Sequence, residues 1–305
     1  GHWSVLNAFV YFIARRNGVP YVVCPAGSLA KFGRSRLIKT IYDFLVGNAI
    51  IRNAAGWIAV TKGEFTHFEQ YGVTPDKITV IPNGVFEESF GEVDLDQFRV
   101  KFKLPSTEFI LFMGRVNPIK GPDILLEAFI AIAETFPSLH LVFAGVDEGM
   151  GRELQSIIRA KKMSSRIHFL GHILGIDKYM AFRAAKFLVV PSRSEAMSLV
   201  ALEAGISGTL ALVTDQCGFS EIKQVAPELE VGANIDSMKW ALLNLLQNSD
   251  LSALSISYKN FVVREYSWNN LVPRYCNLYE SILTLGRMSQ LTLADEEIAK
   301  YIFNC

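Results

Sequence analysis

The sequence is short of the features that would place it in a specialised class. Lys and Arg number 30, as do Asp and Glu. No overall field therefore draws the chain to nucleic acid or to an anionic membrane, and any basic site has to be local. The four cysteines, Cys24, Cys217, Cys276 and Cys305, are far apart and show no Cys-x-x-Cys spacing. That argues against a disulfide framework or a zinc site, and a reducing cytoplasm is the simplest home. His67, His140, His168 and His172 lack metal-ligand spacing, so no metal is expected. No run of about 18 uncharged apolar residues is present, so a membrane-crossing helix is not indicated. Gly1-His2-Trp3 is neither an initiator methionine nor a signal-peptide start, which predicts an incomplete chain. What is there is half apolar and one-fifth charged over 305 residues, the composition of a well-cored protein of one large or two ordinary domains.

Short β-rich runs alternate with longer helical stretches, the pattern of helices wrapped around a mostly parallel sheet, and the pattern occurs twice. In the first part, helices are expected over 4–16, 35–53 and 62–71, with strands at 19–24, 56–61 and 77–81. Three strands are too few for a complete domain of this class. The acidic, apolar-poor stretch 87–96 reads as an exposed connection. In the second part, strands are expected at 109–113, 139–144, 166–170, 187–190 and 209–214. Helices are expected over 123–136, 151–163 and 176–184, from Val200, and over 237–248. Residues 268–285 read as a long helix with Trp268, Leu271, Tyr275, Leu278 and Ile282 on one face, and 286–305 as a tail with one short amphipathic helix. The division is 1–98 for a partial N-terminal domain, 99–266 for a C-terminal domain, 267–285 for a helix packing back on the first, and 286–305 for the tail.

In open parallel sheets, ligands sit beyond the carboxyl ends of the strands, so the loops after Met113, Ala144, Leu170 and Val190 should converge on one cleft. Gly114-Arg115 follows its strand directly and Lys120-Gly121 closes the same loop. Two cations thus stand beside glycines that permit close backbone approach, a layout suited to clamping a diphosphate. An ordinary pair of surface cations is the alternative. After Val190, Glu195 and Glu203 are eight residues apart, about 12 Å if the segment is helical throughout. Two carboxylates at that spacing could accept hydrogen bonds from the hydroxyls at the two ends of a nucleotide-sugar, with helix N-terminal amides facing the phosphates between them. Taken singly, Glu195 is equally a helix-start acid and Glu203 a solvated or core-capping one. The fragment around Gly145 to Gly151 lacks a complete dinucleotide fingerprint, which argues against a nicotinamide enzyme. Arg34, Arg36, Lys39 and Arg52 surround an apolar helix that could touch an anionic membrane or a lipid-linked acceptor. The plainer reading is a core-facing helix with solvated charges.

The segments GRVNPIKGPDILLEAF (114–129), LHLVFAGVDEG (139–149), RIHFLGHI (166–173) and PSRSEAMSLVALEAGISGTLALVTDQCGFSEI (191–222) resemble the retaining glycosyltransferases of family 4. VPYVVCPAGSL (19–29), RNAAGWIAVTKGE (52–64) and KITVIPNGV (77–85) are weaker echoes. Together these segments cover most of residues 19–285. The resemblance implies an α/β fold of GT-B type, two Rossmann-like doubly wound parallel-sheet domains, here with the N-terminal one incomplete by roughly 60 to 100 residues on typical domain sizes. It implies that Arg115 and Lys120 bind the donor diphosphate, that Glu195 contacts the sugar and that Glu203 holds the ribose. Gly114, Gly145 and Gly171 would border the donor, the loop after Gly171 would line the base pocket, and amides near Met197, Ser198 and Leu199 would complete the phosphate site. Glu195, Arg115 and Lys120 are the expected catalytic residues.

The activity implied is transfer of a hexose from a nucleotide-sugar to a carbohydrate or lipid-linked acceptor with retention of configuration. No cofactor or metal, no nucleic-acid partner, a cytoplasmic location and peripheral contact at the inner membrane face complete the expectation. One departure favours a different outcome. Many relatives carry His-Gly where this chain has Ala26-Gly27, and the alternative is a catalytically impaired nucleotide-sugar-binding or partner protein of the same fold.

Overall fold

The computed structural model describes residues 2–29, 36–87, 91 and 93–284. The chain divides into two compact units, one formed by the described residues up to Pro82 together with those from Asn269 onward, the other by Asn83–Trp268.

The first unit opens with helix α1 (Val5–Arg16), whose N-cap Ser4 accepts a hydrogen bond from the Leu6 amide. Strand β1 (Val22–Val23) follows, then helix α2 (Arg36–Tyr42), a π-helical turn at Asp43–Gly47 and α3 (Asn48–Arg52). Strand β2 (Gly56–Ala59), helix α4 (Phe65–Glu69) and strand β3 (Ile78–Val80) complete it. The three strands run parallel in the order β1-β2-β3, with Val22 beside Gly56 and Trp57 beside Ile78. Leu29, Ile51, Ala59, Phe68 and Tyr71 form its core. The strand expected at 19–24 shrinks to two residues because the Val19 amide donates to Ala14 O at 2.9 Å as part of the helix end and Pro20 has no N–H to give. Of the apolar helix expected over 35–53 to face the core, only the second half does, through Val46, Ile50 and Ile51. Leu37, Ile38, Ile41, Phe44 and Leu45 are all exposed.

The second unit begins with α5 (Leu95–Lys101), capped by Asp94, whose carboxylate accepts from the amides of Asp96 and Gln97. The connection expected over 87–96 therefore gives way to the helix's cap at Asp94, while 88–90 and 92 lie outside the described residues. The elements then alternate: β4 (Phe109–Met113), α6 (Pro122–Ile132), β5 (His140–Ala144), α7 (Gly151–Ala160), β6 (Ile167–Gly171), α8 (Gly175–Ala184), β7 (Phe187–Val190), α9 (Leu199–Ile206) and β8 (Ala211–Thr214). Strand β9 (Glu230–Val231) and helices α10 (Ile235–Gln247) and α11 (Leu251–Tyr266) end the unit. Neither β9 nor α11 is expected from the sequence. All six strands are parallel, in the order β6-β5-β4-β7-β8-β9. Every residue of β4, β7 and β8 is buried, as a parallel sheet covered on both faces requires.

This is the doubly wound order. Strands are added outward in one direction from β4 through β5 to β6, then in the other from β7, so the order reverses between β4 and β7 and leaves a crevice there at their carboxyl ends. Helix α12, over residues 268–284, returns to the first unit. A Cβ on Gly56 would stand 2.7 Å from Ile282 Cδ1, so α12 packs directly on β2. The amphipathic helix expected beyond residue 285 lies outside the described residues. Among the described residues no helix is long and apolar enough to cross a membrane.

Candidate functional site

A cavity of about 510 Å³ opens at the reversal point of the six-stranded sheet. The loop after β4 lines it with Gly114, Arg115 and Lys120, the loop after β5 with Gly145 and Val146, and the segment after β6 with His172, Ile173 and Leu174. The segment after β7 contributes Glu195, Met197, Leu199 and Glu203. Of the residues the sequence singles out, Gly171 and Ser198 are absent from this lining. The Gly171 carbonyl instead accepts the Gly145 amide at 2.7 Å, holding the strand ends together just below the cavity.

Two glycines set the close fit of these loops. Gly121 has φ +63° and its Cβ would meet Pro191 O at 2.1 Å, so only glycine lets the β4 and β7 loops approach there. Gly145 has φ +150° and a Cβ would fall 1.8 Å from Gly114 O, which binds the β4 and β5 loops in the same way. Asn117 shapes the first loop. Its side chain accepts the Lys120 amide at 3.0 Å and donates to Glu148 Oε2 at 2.8 Å. The Asn-Pro pair at 117–118 is a turn signal in the sequence.

The charged residues meet as pairs. Lys120 Nζ stands 2.9 Å from Glu195 Oε1, with the Glu195 side chain only 9 % exposed, and the Ser192 hydroxyl donates to the same carboxylate oxygen. Arg115 contacts Glu148 Oε2 at 3.1 Å on the open side of the cavity, where both are well exposed. Glu203 Oε1 is 2.6 Å from Lys178 Nζ of α8. Lys178 therefore lines the cavity too, and Glu148 adjoins it through Arg115 and Asn117, although neither stands out in the sequence. No local spacing betrays either, because each contact is made by loops or helices far apart in the chain. Behind the β7 loop, Arg193 clamps Asp123 with contacts of 2.8 and 2.5 Å. Burial pushes the Asp123 carboxyl up, but the Arg193 hydrogen bond and charge outweigh it and hold the group below its ordinary value.

The segment from Glu195 to Glu203 is not helical throughout, so the spacing of a continuous helix does not apply to the two carboxylates. The amides of Glu195 and Ser198 donate to Gln216 O and Cys217 O at 2.8 and 3.0 Å, so residues 195–198 are strapped to the loop after β8 and α9 starts only at Leu199. Glu195 is thus not a helix-start acid. Among amides considered for an anion, that of Ser198 is already engaged, whereas those opening α9, at Leu199, Val200 and Ala201, have no carbonyl one turn back. The Ser198 side chain is fully buried and its hydroxyl has no partner among the described residues. Beneath the strap, burial and the Glu195 charge push the Cys217 thiol up to about 12, which keeps it protonated and unreactive.

In the first unit, Ala26 adopts φ +46°, uncommon for a residue with a Cβ. It lines a separate cavity of about 460 Å³ with His2, Tyr11, Tyr21 and Cys24. The buried Glu64 carboxylate holds the loop that follows Ala26, accepting the Gly27 amide and, at 2.7 Å, that of Val60. His2 Nε2 lies 3.2 Å from the buried Asp43 carboxylate, which also accepts from the Trp3 indole and the Tyr71 hydroxyl at 2.9 Å each. Among the described residues no group of three or more His, Cys, Asp or Glu is arranged to hold a metal ion.

The model of the glycosyl transferases group 1 family matches residues 94–260, more than half of the chain, and that of the glycosyl transferase 4-like domain matches 1–84. Among curated relatives, a D-inositol 3-phosphate glycosyltransferase of Segniliparus rotundus is 33 % identical over 68 % of this chain and 48 % of its own length. A phosphatidyl-myo-inositol mannosyltransferase of Mycobacterium tuberculosis is 27 % identical over 69 % of this chain and 56 % of its own. The chain thus spans about half the length of these relatives. Among solved structures, Anabaena HepE in complex with UDP-glucose superposes with a TM-score of 0.73 at 19 % identity, covering 92 % of this chain and 76 % of that one. The fold is accordingly GT-B.

Proposed function

The chain belongs to the glycosyl transferases group 1 family, and on that premise we propose that it transfers a hexose from a nucleotide-sugar to a carbohydrate or lipid-linked acceptor with retention of configuration. The observation that carries the reading is the convergence of Arg115, Lys120, Glu195 and Glu203 on one cavity at the reversal point of a doubly wound sheet. Arg115, Lys120 and the first amides of α9 bind the diphosphate, Glu195 takes the sugar hydroxyls, Glu203 the ribose, and residues 172–174 flank the base. Both carboxylates are held by lysines, so each has a fixed position from which to accept a hydroxyl hydrogen bond.

The reaction breaks the bond between the anomeric carbon and the terminal phosphate oxygen and forms one from that carbon to the acceptor hydroxyl oxygen on the same face. The acceptor proton passes to the departing phosphate. Negative charge grows on the leaving diphosphate, so cations and amide dipoles placed there stabilise the transition state more than the ground state. The chain's own groups supply that field, and no metal or cofactor enters the proposal.

Ala26, standing where many relatives carry His, supports a second reading in which the donor binds and no transfer follows. Mass-spectrometric assay of hexose transfer from UDP- and GDP-sugars to inositol phosphate and phosphatidylinositol acceptors, with NMR of any product to read its anomeric configuration, separates the two. Product with the donor's anomeric configuration supports the enzyme. Donor binding without product or nucleotide release supports the impaired form, and product of inverted configuration rules out the retaining mechanism.

A further inference from the structure

The zero net charge of the chain conceals a strong asymmetry. Residues 1–42 contain six Lys or Arg and no Asp or Glu, so the remainder carries 24 basic against 30 acidic residues. Asp43, the first acid, is buried beneath Trp3 and Tyr71. Every charged residue on the described surface of this segment is therefore basic, with Arg15, Arg16 and Arg36 exposed.

The same segment leaves two apolar helix faces outside the core. On α1, Val5, Leu6, Phe9, Phe12 and Ile13 are each more than half exposed, while Tyr11 and Ala14 on the other side are buried. On α2 and the π-helical turn, Leu37, Ile38, Ile41, Phe44 and Leu45 are 51 to 85 % exposed, while Asp43, Val46 and Gly47 face inward. Both sets recur at three- and four-residue spacing, the period of one face of a helix. The two elements touch. The Tyr42 hydroxyl donates to Ser4 O at 2.8 Å, and the Lys39 ammonium lies 4.3 Å from the centre of the Trp3 ring. Scattered exposed apolar residues need no explanation, but two periodic faces on adjoining helices flanked by one sign of charge do.

We propose that α1, α2 and the π-helical turn form a docking surface for a phospholipid bilayer containing anionic lipid. An interfacial helix combines an apolar face that enters the acyl boundary with basic residues that meet the headgroups, and each basic residue near an anionic surface adds about 1 kcal/mol. A bilayer satisfies both properties of the segment at once. A purely apolar partner would leave the basic excess without a counterpart. The surface lies in the unit that does not carry the donor cavity, so its failure leaves nucleotide binding untouched, and the reverse holds.

Flotation of the 305-residue chain with vesicles of phosphatidylcholine alone, and with vesicles also containing phosphatidylglycerol, tests the assignment. Flotation only with the anionic vesicles, weakened by high salt, is expected. Arg16→Ser with Arg36→Ser should lower partitioning on the order of tenfold or more. Leu37→Asp with Phe44→Asp should abolish it while the circular dichroism spectrum is unchanged, both side chains being more than two-thirds exposed. Equal binding to both vesicle types, no flotation, or binding indifferent to both double variants would overturn the assignment. So would a lipid-free dimer that Phe44→Asp returns to monomer, because the face would then join two copies of the chain.

Discussion

Lys120 and Glu195 form one ion pair, and their separate effects can be told apart by which partner is removed. Lys120→Ala leaves a nearly buried carboxylate with Ser192 as its one remaining side-chain partner among the described residues. The expected cost is about 1–3 kcal/mol of stability, read as a lower denaturant midpoint. Nucleoside diphosphate binding should weaken as well. Glu195→Gln keeps the volume and removes the charge, so it should spare diphosphate affinity and lower turnover. An equal loss of affinity in both variants would place Glu195 on the phosphates instead. Gly145→Ala should be more damaging, because its Cβ would overlap Gly114 O at 1.8 Å. A loss of roughly 2–4 kcal/mol is expected, and calorimetry would check it.

That Arg115, Lys120, Glu195 and Glu203 share one cavity was legible because each lies at or just beyond a strand end or in the helix that follows, where fold class alone directs attention. Lys178 was not. Its value comes from α8 crossing to Glu203, a tertiary contact with no signature in its own segment.

At the level of single elements, β4 and β7 carry the bounds that the sequence predicts, since uninterrupted apolar runs ending at Gly114 and Pro191 have one reading. Helix α11 escaped it. Its buried residues, Tyr258, Phe261, Val262 and Tyr266, all lie from Tyr258 onward, and Ser252, Ser255 and Ser257 give the stretch before them the look of a loop. The start of α9 falls within one residue of Val200, where the sequence places it, but the strap from 195 to 198 onto the β8 loop is invisible without the fold.

A pH effect belongs to the pairing of β5 with β6. His140 Nδ1 lies 2.9 Å from His168 Nε2. Burial holds both rings below their ordinary value, helped at His140 by the charges of His168 and Arg166. The folded state therefore takes up protons less readily than the unfolded chain. The stability involved is fully present above the unfolded value of about 6.5, begins to fall as the pH drops below it, and is lost as the pH falls through the lower folded values. Thermal midpoints should decline between pH 7.5 and 5.5, and His168→Gln should flatten that decline. An unchanged slope in the variant would assign the effect to other groups.

At the scale of the molecule, the two family matches, over 1–84 and 94–260, follow the two units into which the chain divides. The second unit holds a full six-stranded sheet with its cavity, the first a three-stranded sheet with a basic, apolar surface. Donor recognition and surface docking are thus assigned to different units and should be separable by mutation. Leu37→Asp with Phe44→Asp should leave nucleotide affinity unchanged, and Lys120→Ala should leave vesicle flotation unchanged. A variant in either unit that impaired both would show the two functions to be coupled.

Everything proposed for the second unit depends on the cavity at the β4–β7 reversal binding the donor through its diphosphate. Isothermal titration of the chain and of Lys120→Ala with UDP, GDP and their hexose conjugates tests it most directly. Saturable binding of at least one nucleotide-sugar is expected, weakened on the order of tenfold to a hundredfold by the substitution, as loss of a charge-assisted contact implies. Absence of binding by every nucleotide, or equal affinity in the variant, would contradict it.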